Sequence, residues 1–201
     1  MIPAVFGPAA HAAPALKLVA FGDSLTAGYL LPADEAFPAV LQKALRKDGF
    51  NVTVVNASVS GDTASDGLAR LDWSLGEGTD AVILELGAND MLRGIDPAIT
   101  RKALDAILAR LQARHIKVLI AGMLATPSLG KAYAQAFDRI YPELAAKYKA
   151  PLYSFFLDEV TTHKGLTLAD GMHPNGTGVE KIVARILPKV EAMLRAIAAK
   201  T

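Results

Sequence analysis

Cysteine is missing from all 201 residues. The chain therefore has no disulfide framework, Cys-ligated zinc, iron–sulfur cluster or thiol nucleophile, and any covalent chemistry must use oxygen or nitrogen. An excess of either charge is missing too: 21 basic side chains stand against 20 acidic ones, for a net charge of +1. With no run of like charges either, the chain offers no field for a phosphate backbone, and nucleic acid is not an expected partner. Aromatics make up only 6% of the sequence, with a single tryptophan, Trp73. That is little material for a broad sugar-stacking platform.

Long apolar runs are also lacking. The uncharged stretch Met1–Leu16 is interrupted by Pro3, Pro8 and Pro14 and falls short of the ~18–20 residues that cross a bilayer. No uncharged run elsewhere exceeds Val118–Gly130, which is shorter still. No stable membrane anchor is expected. Residues 1–15 read as a leader, because Ala10-His11-Ala12 followed by Ala13-Pro14-Ala15 looks like the small-residue end of a secretory signal without its basic start. That reading implies export to the periplasm or beyond; the alternative is a disordered Ala/Pro tail on a cytoplasmic protein. Residues 16–201 suit one domain, large enough to bury roughly 70% of its unfolded surface.

What the sequence does contain is a regular alternation. Short β-branched or Leu-rich runs, Lys17–Phe21, Val52–Asn56, Ala81–Leu86, Lys117–Ala121 and Leu152–Phe155, are separated by segments of helical period. Phe37, Val40, Leu41, Ala44 and Leu45 form one helix face, closed by Asp48-Gly49. Asp96-Pro97 is a cap with proline at the first helical position. Thr177-Gly178-Val179-Glu180 reads as a capping box opening the last helix, whose stripe runs from Ile182 to Ile197, with a bend expected at Pro188. The pattern predicts an α/β fold: a five-stranded parallel sheet, doubly wound, with ligands beyond the carboxyl ends of its strands. Periodicity leaves the strand order open.

Polar clusters fall just where such a sheet would present them: Gly22-Asp23-Ser24-Leu25-Thr26, Ser60-Gly61-Asp62-Thr63, Gly87-Ala88-Asn89-Asp90 and Asp170-Gly171-Met172-His173-Pro174. Each alone could be a turn or a cap. Together they supply what serine-dependent acyl transfer needs: a nucleophile, a base held by a carboxylate, and donors for an oxyanion. Ser24 has the hydroxyl. His173 precedes the last helix on a loop, and Asp170, three residues earlier, can bond its Nδ1–H. Of the other histidines, His11 is in the leader, His115 follows a helix and His163 lies in a Lys/Thr-rich loop. No Gly-x-Ser-x-Gly elbow, phosphate-binding glycine loop, His-Glu-x-x-His or other metal-ligand spacing occurs, so neither cofactor nor metal is expected.

These blocks, in this order and spacing, resemble the SGNH-hydrolase or GDSL-esterase family over nearly the whole chain after the leader. The resemblance implies a flavodoxin-like three-layer α/β/α sandwich, with Ser24 as nucleophile, His173 as base and then acid, and Asp170 as the orienting carboxylate. It further implies an oxyanion hole made by the backbone N–H groups of Ser24 and Gly61 and the side-chain amide of Asn89. Asp23 and Asp90 would frame the site, and Asn56 would brace its loops. The chain looks most like the small bacterial thioesterase I, arylesterase and lysophospholipase branch, with Ala88 and Met91 as variations at the floor of an acyl pocket. Expected substrate contacts are Asp23, Leu25, Leu75, Leu124 and Pro127. Leu124–Ala134 is the expected lid, and Leu75–Thr79 a second mobile segment. The expected partner is a small acyl ester or thioester. A carbohydrate acetyl esterase and a non-catalytic acyl- or carbohydrate-binding protein are the rival readings, and oligomeric state stays open.

Overall fold

The computed structural model describes residues 15–199. The leader expected at 1–15 thus lies, but for Ala15, outside the described residues. Five parallel strands form the sheet: β1 (Leu16–Gly22), β2 (Val52–Asn56), β3 (Ala81–Glu85), β4 (Lys117–Ala121) and β5 (Leu152–Tyr153), in the order β2-β1-β3-β4-β5. The chain steps from β1 to β2 in one direction and then crosses back to β3, so the strand order reverses at β1. A crevice opens there beyond the carboxyl ends. The two-residue β5 is shorter than expected, because Ser154 leaves the ladder.

Helices cover both faces. On one side α2 (Phe37–Lys47) packs against the long terminal α8 (Gly176–Ala198); on the other, α3 (Ala64–Ser74), α5 (Pro97–Ala113) and α7 (Ile140–Tyr148) lie side by side. The shorter α1 (Ser24–Ala27), α4 (Ala88–Leu92) and α6 (Lys131–Asp138) sit among the loops. β3 is buried along its whole length, as a central parallel strand covered on both faces must be. The continuous core runs from Leu18, Phe21 and Ile83 in the sheet to Phe37, Leu41, Ile107 and Ile186 in the helices.

The expected closures of α2 at Asp48-Gly49 and start of α5 at Asp96-Pro97 are present, the Asp96 carboxylate accepting from Ala98 N–H at 2.9 Å. The last helix differs. Its N-cap is Asn175, whose side chain accepts from Gly178 N–H at 2.9 Å, so Thr177 lies inside the first turn instead of capping it. Asn caps as well as Thr does, and the chain takes the earlier residue. The helix continues through Pro188 for 23 residues. Among the described residues, no helix is long and apolar enough to cross a membrane.

Candidate active site

β1 ends at Gly22 and the chain turns at once into α1, with Asp23 as N-cap and Ser24 as the first helical residue. The Asp23 carboxylate accepts from Leu25 N–H at 3.0 Å. Being first in its helix, Ser24 has no intrahelical acceptor for its own N–H. The turn is tight for a steric reason: a Cβ on Gly22 would come within 2.2 Å of Thr26 Oγ1 and 2.4 Å of the Glu85 carbonyl oxygen. After β2, the loop carrying Gly61 is held by Arg70. This buried guanidinium bonds Asp62 (2.5 Å) and the carbonyls of Ala57 (2.5 Å) and Gly22 (3.0 Å). One side chain thus ties the β1 and β2 loops together. Gly61 has φ +91°, a left-handed value that glycine adopts without strain, and its carbonyl accepts from Arg93 at 2.8 Å.

Asn89 and Asp90 follow β3 in the first turn of α4. The buried Asp90 accepts from Ala64 N–H and Thr100 Oγ1, both at 2.8 Å, and so fixes the starts of α3 and α5. Asn89 Nδ2 donates to the Asp62 carbonyl at 3.0 Å and to Asp23 Oδ2 at 3.2 Å. Asn56 braces its neighbours, donating to the Ala27 carbonyl at 3.0 Å and accepting from Ser58 N–H at 3.1 Å.

From the far end of the chain, the loop before α8 brings His173 to Ser24, with Nε2 2.9 Å from Oγ. His173 Nδ1 is 2.6 Å from Asp170 Oδ2, while Asp170 Oδ1 accepts the N–H groups of Met172 and His173 at 2.9 and 3.0 Å. Those bonds, Met172 N–H foremost, hold the Asp170 pKa down from 3.8 to about 2. The carboxylate therefore stays ionised through neutral pH. What it adds to stability is present above 3.8 and is lost as pH falls through about 2. The loop is pinned by an antiparallel bridge between Thr167 and Pro174 and by Leu168 N–H donating to the His173 carbonyl at 2.8 Å. The other described histidines lie elsewhere: His115 just before β4, at the opposite end of the sheet, and His163 against the Glu159 carbonyl.

A cleft of about 780 Å³ opens over Ser24 and His173, lined mainly by apolar side chains including Leu25, Ala88, Met91, Leu92, Leu124 and Met172. Three of the substrate contacts expected from sequence are absent from it. Leu75 is a core residue at the carboxyl end of α3, beside the amino end of β1, where Lys17 Nζ bonds the Glu77 carbonyl. A helix between parallel strands runs antiparallel to them, so its last residue and the following 75–79 segment sit on the rim away from Ser24. Pro127 opens a 3-10 turn just outside the cleft, which Leu124, Ala125 and Thr126 line instead. Asp23 is fully buried beneath Ser24 and does not face substrate. The sequence reading missed Tyr29, whose ring lies 4.5 Å from that of His173, as well as Phe155 and Thr161 in the cleft wall. It also missed Glu85, although a lone acid in an otherwise apolar strand is itself a signal.

The sequence profile of the GDSL-like Lipase/Acylhydrolase family matches residues 20–181. The chain belongs to this family. Curated relatives in it include Esterase TesA of Pseudomonas aeruginosa, 39% identical over 183 residues (90% of this chain, 91% of the relative). Another is Thioesterase 1/protease 1/lysophospholipase L1 of Escherichia coli, 41% identical over 166 residues (82% and 78%). Among solved structures of the family, that of TesA superposes with a TM-score of 0.83 at 38% identity, covering 88% of this chain and 99% of its own. AlinE4, an SGNH-hydrolase family esterase, gives 0.77 at 44% identity, covering 90% and 98%. As a member of the GDSL acylhydrolases, the chain is an ester hydrolase.

Proposed function

We propose that this hydrolase cleaves carboxylic esters through an acyl-enzyme on Ser24. The observation that carries the reading is the unbroken relay from Ser24 Oγ to His173 Nε2 (2.9 Å) and from His173 Nδ1 to Asp170 Oδ2 (2.6 Å). With Asp170 accepting at Nδ1, the neutral imidazole carries its proton there and presents Nε2 as the base. His173 takes the Ser24 proton as Oγ attacks the acyl carbon, and the Asp170 carboxylate stabilises the imidazolium that forms. The oxyanion is received by the N–H groups of Ser24 and Gly61 and by Asn89 Nδ2. Asn89 already donates to the Asp62 carbonyl and to Asp23, so one of its two hydrogens is shared with the incoming oxyanion. His173 then protonates the leaving group, and water repeats the sequence on the acyl-enzyme.

The lining favours acyl groups with an aliphatic portion, because Leu25, Met91, Leu92, Leu124 and Met172 offer contact area and few hydrogen-bond partners. Thioesters and lysophospholipids, to which the name of the E. coli relative points, are open to the same acyl-transfer chemistry. Trp73 lies on α3 outside the cleft and provides no sugar platform there. We further infer export from the small-residue run Ala10-His11-Ala12 followed by Ala13-Pro14-Ala15, which amino-terminal sequencing of the mature protein would check. The deciding experiment is labelling with an alkyl phosphonate followed by mass spectrometry. A single adduct on Ser24, lost in Ser24→Ala, is expected; an unlabelled Ser24 in protein that still hydrolyses p-nitrophenyl esters would refute the reading. A series of p-nitrophenyl and acyl-CoA substrates then sets chain length and leaving group.

A further inference from the structure

Glu85 ends β3, opposite Gly22 in the register, and has no exposed surface. Its Oε2 accepts from Asp23 N–H at 3.3 Å and from Thr26 Oγ1 at 3.2 Å, while among the described residues no donor reaches Oε1. The side chain lies within hydrogen-bonding reach of the Asp23 carboxyl, which is itself fully buried. Asp23 in turn accepts from Leu25 N–H and from Asn89 Nδ2. Two carboxyl groups in one dry site cannot both be charged. An oxygen with no donor is where a proton serves best, since it turns an unsatisfied acceptor into a donor. Gly22 makes room for this arrangement: a Cβ there would stand 2.7 Å from Glu85 Oε2.

Building on the roles assigned above to Ser24 and Asn89, we propose that Glu85 is a positioning residue: protonated, it donates to the Asp23 carboxylate and thereby holds the Ser24 turn and the Asn89 amide where an oxyanion is received. Glu85 grips the turn at Asp23 N–H, Thr26 Oγ1 and the Asp23 carboxylate, and Asp23 carries the hold on to Leu25 and Asn89. Burial, followed by the charge of Asp23, pushes the Glu85 pKa well above its ordinary range, and burial raises that of Asp23 to about 6. The other ionisable groups facing the pair do not displace the proton. Tyr141, from α7, is a buried phenol donating to the Leu86 carbonyl, and Asp90, from α4, is occupied by Ala64 and Thr100. His173 acts on Asp23 from across the site, and Arg70, the one buried cation among the described residues, is engaged by Asp62.

The test compares wild type, Glu85→Leu and Glu85→Gln in p-nitrophenyl ester hydrolysis from neutral into alkaline pH, with infrared spectra of each. Glu85→Leu is expected to lower kcat by ~10- to 100-fold with KM little changed, as slight misplacement of catalytic groups does. Glu85→Gln, whose amide donates to Asp23 while its carbonyl accepts from Asp23 and Thr26, restores most of that kcat. Wild type loses kcat at alkaline pH as the pair gives up its second proton; Glu85→Gln does not. The carbonyl stretch of a buried protonated acid appears in neutral wild type and is missing from Glu85→Gln. A glutamine variant as impaired as the leucine one, a leucine variant with wild-type kcat, matching alkaline profiles, or a wild-type spectrum without that band would each overturn the proposal. The last two hold even if Glu85→Leu does not fold. Phosphonate labelling of Ser24 in wild type separates the two readings: without it the assignment of Ser24 fails, and the infrared band still decides where the proton lies.

Discussion

Two clefts of similar size open at opposite ends of the same sheet. The one beyond the carboxyl ends, about 780 Å³, holds Ser24 and His173. The other, about 650 Å³, lies at the amino ends between α5, α7 and α8, with Leu108, Ile116 and Met193 in its wall and Lys117, Lys149 and Lys189 around it. Volume does not tell them apart; the placement of buried polar groups does. Among the described residues, the buried polar or charged side chains other than tyrosines are Asp23, Thr26, Thr63, Arg70, Glu85, Asp90 and Thr100. Every one bonds within the loops and helix starts of the carboxyl-end rim. Burying such groups is costly unless they are satisfied, and the fold accepts that cost at one rim only. Desolvated, mutually bonded polar groups mark the working end of this sheet.

Substitutions at the two rims should have opposite effects on activity and stability. Ser24→Ala should reduce kcat for p-nitrophenyl ester hydrolysis by ~10⁴-fold or more while leaving the thermal unfolding curve in place. Asn89→Ala should lower kcat by ~10²–10³-fold, as loss of one oxyanion donor does. Leu75→Ala, at the amino-end rim, should cost about 2–4 kcal/mol in denaturant unfolding for the cavity it leaves in the core, yet keep KM unchanged in the folded enzyme. A raised KM there would place substrate at the wrong end. Smallest of all, Lys189→Ala should change stability by no more than about 0.5 kcal/mol and leave kcat/KM as it was. A clear fall in kcat/KM would show that the amino-end cleft communicates with the chemistry.

A stability measurement sharpens the same contrast. Glu85 has a folded pKa raised above 4.5, so its favourable contribution is complete below that value and is lost as pH rises through the folded one. Glu85→Gln removes this loss and should gain in melting temperature relative to wild type as pH increases.

Much of this arrangement is encoded locally in the sequence. The first four strands and the gathering of Ser24, Gly61, Asn89, Asp170 and His173 on one rim follow from short apolar runs that each end in polar residues, because parallel strands all point their carboxyl ends the same way. Leu75 and Pro127 were misplaced for a different reason. Glycine-rich or proline-containing loops mark turns at either rim, and composition does not say which; only the antiparallel run of α3 against its strands puts Leu75 at the far end. Thr177 lost the capping role to Asn175 because both residues can cap and Asn175 comes first, its side chain accepting from Gly178 N–H. Tyr29 and Glu85 join the site through contacts with His173 and Asp23 that no local spacing encodes.

The bond between His173 and Ser24 joins residues 149 positions apart. A chain emerging from the ribosome exposes Ser24 long before His173 has been made. Ser24 therefore has no base beside it until the loop before α8 is in place, and turnover waits on that docking. Onset of turnover during refolding is expected to report the docking of that loop.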